Sequence, residues 1–498
     1  MLSLSTIDWL LIFSVPVVAF FLGRTAKRQA KDYIDYFLAR RALGAVRFLA
    51  AFFGANLVFT AIFLVLSYET ARRGWWSISV PVAFFLGTVL LALLYPRLNY
   101  YFSKDQTLHQ ALGSTFDQEC TGWTSIRRWA AIWTITAFVG LVGIEYYGGI
   151  LLFRWAGVPL LANITIAVFF AVICTAFTIA GGLRGVALAD MWLDIFSGVG
   201  ILLFLGFIST HLNWSPSLGA VPPSTGKLGF ANPGIAENIL FCLAALALFV
   251  PMPVCALDTW QRGVAWKERQ NVTGILLGGA TGIVLAAVVA ILAGFYARQH
   301  GWNPDGSPPF QIVLASLGLP PLAAGLVVGG FVAAVLSTAD ELLNCCAYAL
   351  LADCLVLPRT TDDATSARYI RSAKFYTGIF GFLAALIAVL CTKVARISDV
   401  FNVVAAAQVV FFVPLLIAVF RRETAHRQRS AALLAMLLAF GTALVCVVAG
   451  IARGGKEGQG LIDGAPLLAL LVSVGVIMLG WMGLWLSSFH KRGANEAR

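Results

Sequence analysis

The sequence predicts an all-α, polytopic membrane protein with about thirteen transmembrane helices, and three observations predict it. Hydrophobic residues make up 59% of the 498 and charged residues only 12%, with a mean hydropathy of +0.85. That is more apolar side chain than a soluble core buries. Apolar runs of about 20 residues recur along the chain, each able to cross a hydrocarbon layer ~30 Å thick as a helix. Third, 26 of the 35 lysines and arginines fall in one set of alternating loops and nine in the other. That segregation places the N-terminus outside and the C-terminus in the cytoplasm. It accounts for the net charge of +11 with a lipid bilayer as partner and no nucleic acid.

The spans lie near 7–23, 47–70, 76–96, 129–154, 158–180, 186–210, 236–257, 272–296, 321–352, 373–394, 398–420, 430–451 and 465–487. The first is not a cleavable signal peptide, because MLSLSTIDW has no basic leader and Arg24, Lys27 and Arg28 follow the apolar segment. The second span is interrupted at Gly54, Ala55 and Asn56, and the seventh at Pro251, Met252 and Pro253. Paired interruptions at corresponding places in two five-helix halves point to an inverted-repeat transporter core; the other reading is two simple kinks. Gly278, Gly279 and Gly282 in the eighth span read as close helix packing. The loop from His211 to Ala236 reads as turns, and one membrane domain, 1–498, is the economical division. Compact loops favour a bacterial cytoplasmic membrane.

Chemistry-bearing residues are few. The nine cysteines show no pairing pattern, and the five histidines, His109, His211, His300, His426 and His490, fall in loops or at helix ends without a metal cluster. No loop carries the paired acids, activated nucleophile or metal ligands of an enzyme. The ninth span does carry adjacent hydroxyls, Ser337 and Thr338, on a small-residue face with Ala334. Hydroxyls in hydrocarbon either bond back to their own helix or offer oxygens to an ion. Glu145, inside the fourth span, is a costly buried acid that reads equally as a solute or proton contact and as an interhelical hydrogen bond. Tyr146 and Tyr147 beside it read as an interfacial belt or as gates. Asp190 and Asp194 lie towards the cytoplasmic end of the sixth span, where Arg184 is a partner for Asp190 in a structural or inner-gate role. Asp340 sits one turn past Ser337, placed to tune the ion site, and Asp258 with Arg262 reads as a helix-surface pair.

Four segments, in order, resemble the sodium:solute symporter family, the sodium/glucose and sodium/proline cotransporter-like carriers of small solutes. They are Asp35-Tyr36-Phe37-Leu38-Ala39-Arg40, Gly181-Gly182-Leu183 through Asp190, Gln261-Arg262 through Lys267, and Ala333 through Asp340 with a trailing Asp353. The resemblance implies a leucine-transporter-like core of two inverted repeats, 47–210 and 236–420, with an extra N-terminal helix, 7–23, and two C-terminal helices, 430–487. It implies sodium as the coupling ion and no organic cofactor. The sodium ligands it implies are the carbonyls of Gly54, Leu57 and Ala334 and the hydroxyls of Ser337 and Thr338. Within such a core, Asn56, Thr60, Glu145 and Gln408 are the candidate solute contacts, and Asp190 and Asp340 gating or supporting residues. The function expected is symport of a small solute such as a sugar, amino acid or carboxylate, not enzymatic catalysis. Glu341, Leu342, Asn344, Cys345 and Cys346 after Asp340, and Ala189 and Leu193 around Asp190, depart from the family pattern and leave the solute open. A proton-coupled or uncoupled carrier of the same fold, or a non-transporting membrane sensor, are the alternatives.

Overall fold

The computed structural model describes residues 4–26, 32–39, 43–104, 107–117, 122, 124–155, 157–212, 233–266, 272–300, 309–356, 363–393 and 397–496. Most of the long loop expected before Ala236, the basic residues Lys27 and Arg28, and the Lys267 end of the Gln261 segment lie outside these. The helices are α1 (Thr6–Ala26), α2 (Tyr33–Leu38), α3 (Ala45–Asn56), α4 (Leu66–Arg73), α5 (Ser79–Ser103), α6 (Leu108–Phe116) and α7 (Ile126–Trp155). There follow α8 (Leu160–His211), α9 (Ile235–Phe249), α10 (Met252–Cys255), α11 (Leu257–Ala265), α12 (Val272–Gln299) and α13 (Pro309–Ser316). The last are α14 (Ala323–Ala349), α15 (Asp363–Cys391), α16 (Ile397–Val409), α17 (Phe412–Phe420), α18 (Arg429–Arg453) and α19 (Gly455–Glu496). Among the described residues the only β-type pairing is an isolated bridge between Leu43 and Trp266. With no water in hydrocarbon to bond a free backbone, helices are what such apolar runs must form.

Eleven helical stretches are long and apolar enough to cross a membrane, against the thirteen expected. The difference lies in two long stretches, Thr60–Ser103 of 44 residues and Leu160–His211 of 52, and in the short α3. At 1.5 Å per residue the second would run about 78 Å, more than twice the hydrocarbon thickness. It breaks at Gly182, whose φ of 54° and ψ of −158° are not helical. The first breaks at Gly74, with φ 64° and ψ −134°. The breaks expected in the second and seventh spans are present, the first displaced slightly. α3 ends at Asn56 and a π-helical turn resumes at Thr60, while α9, α10 and α11 are separated around Val250–Pro251 and Ala256.

The central helices are α14 and α7. In the stretch containing α14, 94% of the most apolar run is buried, and in α7 89%, against 17% in α19. Glycine lets α8 and α14 touch: a Cβ at Gly200 would lie 2.9 Å from the Gly330 Cα. Asp190 on α8 meets Ser337 on α14, so the two run antiparallel. On α12, Gly279 and Gly282 lie against Phe52 and Phe53 of α3, whereas Gly278 has open space but for Leu49. α1 is tied to the start of α14 by Asp8, whose Oδ1 accepts from the N–H groups of Leu322 and Gly325, both at 2.8 Å.

Three sequence segments far apart in the chain converge around the Gly182 turn. Arg184 donates to Asp35 at 2.8 Å and to the Ala39 carbonyl at 3.2 Å. The Tyr36 hydroxyl donates to the Ile179 carbonyl at 3.1 Å, and Gln261 Nε2 donates to the Phe37 carbonyl at 2.6 Å. The Gly182 turn makes this docking possible, since a Cβ there would overlap the Tyr36 carbonyl. Its backbone region is open essentially to glycine alone, at a cost of about 1–3 kcal/mol for any other residue. Gly182→Ala is therefore expected to lower the melting temperature of the detergent-purified protein by several degrees and to reduce its folded yield; an unchanged melt would contradict this placement.

Candidate functional site

The break after Asn56 leaves carbonyls at the end of α3 and N–H groups at the next helical start, all within apolar surroundings. Each needs a partner. On the carbonyl side, Leu57 donates its N–H to Phe53 at 2.8 Å and to Gly54 at 3.2 Å. Thr338 of α14 donates its hydroxyl to the same Gly54 carbonyl at 3.0 Å. On the N–H side, Glu145 of α7 accepts from Phe59 N at 3.1 Å and Thr60 N at 2.9 Å. The Thr60 hydroxyl donates to the Ile144 carbonyl at 3.1 Å. Gly148 gives Phe59 and Thr60 room to approach α7. An acid at a helix N-terminus satisfies both the donors and the dipole.

Beside Thr338, the Ser337 hydroxyl lies 2.8 Å from Asp190 Oδ1 and 3.3 Å from Asp194 Oδ1. A hydroxyl has one proton, so it serves one carboxylate at a time. The second oxygens of Asp190 and Asp194 have no hydrogen-bond partner. Gly54 faces this group closely: a Cβ there would overlap the Ser337 hydroxyl and lie 3.0 Å from Asp194 Oδ1. The Gly54 carbonyl, two hydroxyls and two carboxylates make an all-oxygen donor set with negative charge, suited to a hard cation. Among the described residues no group of three or more His, Cys, Asp or Glu is arranged to hold a metal ion. Leu57 and Ala334, the other expected carbonyl ligands, are buried nearby in sequence, at the α3 cap and one turn before Thr338.

Several sequence-based expectations need correction. Asp190 does not pair with Arg184, which reaches Asp35 instead; Asp190 faces Ser337. Arg262 and Asp258 are not a surface pair, for both are buried. Arg262 binds Asp258 at 3.0 Å and also Glu341 of α14. That pairing ties α11, the second part of the second broken helix, to α14, helped by Gln261 donating to Asn344 at 3.0 Å. Asp340 is buried with neither carboxylate oxygen hydrogen-bonded, and makes no hydrogen bond to the Ser337 and Thr338 hydroxyls. Tyr146 is 2% exposed, inside the helical core and not in an interfacial belt. His109 does lie at a helix end as expected, in the first turn of α6, and is buried 2.7 Å from Asp353 and 2.8 Å from Thr134.

A small cavity of about 50 Å³ lies beside both broken helices. Asn56, Ala61 and Ile62 form one wall, and Phe84, Phe249, Met252, Ile283 and Phe401 others. A second cavity, of about 60 Å³, shares Ala61, Leu66, Val80, Phe249 and Phe401 with it and is lined also by Glu69, Asn402 and Asp463. Of the expected solute contacts only Asn56 lines either. Thr60 and Glu145 are engaged at the helix start, and Gln408 is buried with its Oε1 unpartnered. Sequence reasoning missed Asp194 as an ion-site residue, and Glu69 and Asp463 as cavity residues. An acid inside or beside an apolar span is the signal that singles out all three.

Solved structures similar to the chain include a substrate-bound, outward-open sodium-coupled sialic acid symporter. It matches with a TM-score of 0.67 and 16% identity over 95% of this chain and 98% of that one. The chain has a leucine-transporter-like fold. MhsT in complex with L-phenylalanine matches with a TM-score of 0.50 and 16% identity, over 88% of this chain and 98% of that one. A mutant manganese transporter from Eremococcus coleocola has a TM-score of 0.50 and 13% identity, over 90% and 95%. At these identities the likeness is one of fold. No protein-family model matches, and no curated protein does. With its apolar helices, this fold makes the protein an integral multi-pass membrane protein.

Glu145 gives a direct test of the helix-break geometry. Glu145→Ala leaves two buried N–H groups without acceptors, at ~1–3 kcal/mol each. Thermal unfolding is expected to show a marked loss of stability, with Glu145→Gln, which keeps one acceptor, losing less. Equal stability of all three proteins would contradict the capping role.

Proposed function

We propose that the protein is a sodium-coupled secondary active symporter of a small organic solute, working by alternating access. The observation that carries the reading is the meeting of Gly54, Thr338, Ser337, Asp190 and Asp194 at a broken helix: five oxygens from three helices and no nitrogen. The proposal includes two inverted five-helix repeats, 47–210 and 236–420, within thirteen spans, with the N-terminus outside and the C-terminus in a bacterial cytoplasm.

When sodium enters, the hydroxyl hydrogens of Ser337 and Thr338 turn away and their lone pairs face the ion. The Gly54 carbonyl, with those of Leu57 and Ala334, completes the ligation. Asp190 and Asp194 supply compensating charge, so the ion draws α3, α8 and α14 together and orders the cavity wall around Asn56. The solute then binds more tightly to the sodium-loaded form, and by linkage sodium binds more tightly with solute present. Each sodium crossing 100 mV supplies ~2.3 kcal/mol, about 50-fold accumulation of a neutral solute at one-to-one stoichiometry before the concentration gradient is added. A proton-coupled carrier is the second reading, since Asp190 and Asp194 compete for one hydroxyl and a proton would relieve them as a cation does.

Sodium-22 binding to purified protein tests the choice. Wild type is expected to bind saturably, and Ser337→Ala with Thr338→Ala to lose at least about tenfold in affinity, or ~1.4 kcal/mol. No saturable sodium binding in folded wild type, with solute uptake indifferent to sodium and driven by pH, would transfer the site to protons.

A further inference from the structure

We propose that the end of the bundle where α17 meets α19 carries a binding site for an anionic phospholipid, with its phosphate on Arg421 and its acyl chains along α19. The place is a groove of about 460 Å³ lined by Arg421, Thr424, Trp481, Met482 and Trp485. At about 30 Å³ per liquid water that is the space of roughly fifteen waters, room for a headgroup. Three features identify the occupant.

The first is an apolar stripe. Trp481, Met482 and Trp485 stand at i, i+1 and i+4 of α19 and so share a face; they are 46%, 53% and 59% exposed. The same face continues back along the helix through Met478, Val474 and Leu471, all exposed. Of the eleven apolar stretches the one in α19 buries the least, 17% of its most apolar run. In a membrane such a stripe lies against acyl chains, and tryptophans at its end sit at headgroup depth.

The second is charge left without a counter-charge. α17 ends at Phe420, and Arg421, Arg422 and Arg427 follow. Arg97 lies over the Phe420 ring at 4.8 Å and Arg422 over the Tyr100 ring at 3.7 Å. Among the described residues none of these four arginines makes an ion pair, whereas Arg429 is paired with Asp117 at 3.4 Å. Glu423 is the one acid between 421 and 429, and it pairs with none of them. Four arginines against one acid leave this rim in need of an anion.

The third is how Arg421 is held. Its guanidinium carbon is 6.0 Å from the Trp481 ring centroid. Contact through the flat face leaves the N–H edges open, and that planar fork matches a phosphate bidentately. The Thr424 hydroxyl bonds the Arg421 carbonyl at a long 3.3 Å and is a second donor at the same place. A soluble anion would use Arg421 but not the stripe, and a zwitterionic lipid would bring its own cation to a rim already positive. An anionic phospholipid satisfies both parts. In the orientation proposed above, this end meets the cytoplasmic leaflet, where basic pockets between helices recognise such headgroups.

Native mass spectrometry of the full-length protein, released from micelles holding equal dioleoyl phosphatidylglycerol and dioleoyl phosphatidylcholine, tests this. Wild type is expected to retain phosphatidylglycerol at least about fivefold over phosphatidylcholine. Arg421→Ala and Trp481→Ala are each expected to cut that preference several-fold with an unchanged thermal melt, and Arg421→Lys, which keeps the charge without the fork, to fall between. Arg24→Ala, which removes an exposed arginine outside the groove, is expected to leave the preference intact. Equal retention of the two lipids, a preference that survives Arg421→Ala, or one that Arg24→Ala removes as fully, overturns the proposal. Inorganic phosphate raising the melting temperature as much as phosphatidylglycerol does at equal concentration would assign the groove to a soluble anion and overturn it too.

Discussion

The structure depends on an interrupted helix whose two ends must be satisfied without water. Between Asn56 and Thr60 the chain abandons the helical ladder inside the bundle, and backbone groups left there would each cost on the order of 1–3 kcal/mol. Glu145 caps the N–H side and Thr338 meets Gly54 on the carbonyl side. One side of the break is thus held by a fixed carboxylate. The other is held by a hydroxyl that has a neighbour, Ser337, already poised between two aspartates. That asymmetry is what fits one end to a supporting role and the other to the ion site proposed above.

Close packing then sets the distances. Gly200 against Gly330 brings α8 and α14 together, and the absence of a side chain at Gly54 lets α3 close over Ser337. Away from the Ser337 oxygen cluster, Arg262 with Glu341 and Asp258, and Arg184 with Asp35, are buried or half-buried ion pairs that tie α11, α14, α8 and α2 together. In hydrocarbon, breaking such a pair leaves a charge without solvent, so the pairs specify which helices meet more than they add stability.

Much of this was legible in the sequence because it is local. Apolar run length marks the spans, the Pro251–Pro253 and Gly54–Asn56 interruptions mark breaks, and adjacent hydroxyls in an apolar run mark Ser337 and Thr338. Glu145 was visible as an expensive acid, but its partner was not: Phe59 and Thr60 lie some 85 residues away, and no spacing rule links them. The same limit misassigned Arg184, which is six residues from Asp190 but pairs with Asp35 across 149 positions. Asp194, one turn beyond Asp190, reaches Ser337 only because the Gly182 break turns the second half of α8 back against α14. Helix periodicity shows which residues share a face; it does not show which face another helix will occupy.

The most direct test of the account is sodium-22 titration of Gly54→Ala beside wild type, with a thermal melt to establish folding. The added methyl would occupy the space of the Ser337 hydroxyl and crowd Asp194, without removing a ligating side chain. The account predicts a folded protein in which saturable sodium binding is lost. Wild-type sodium affinity in folded Gly54→Ala would place the ion elsewhere and contradict it.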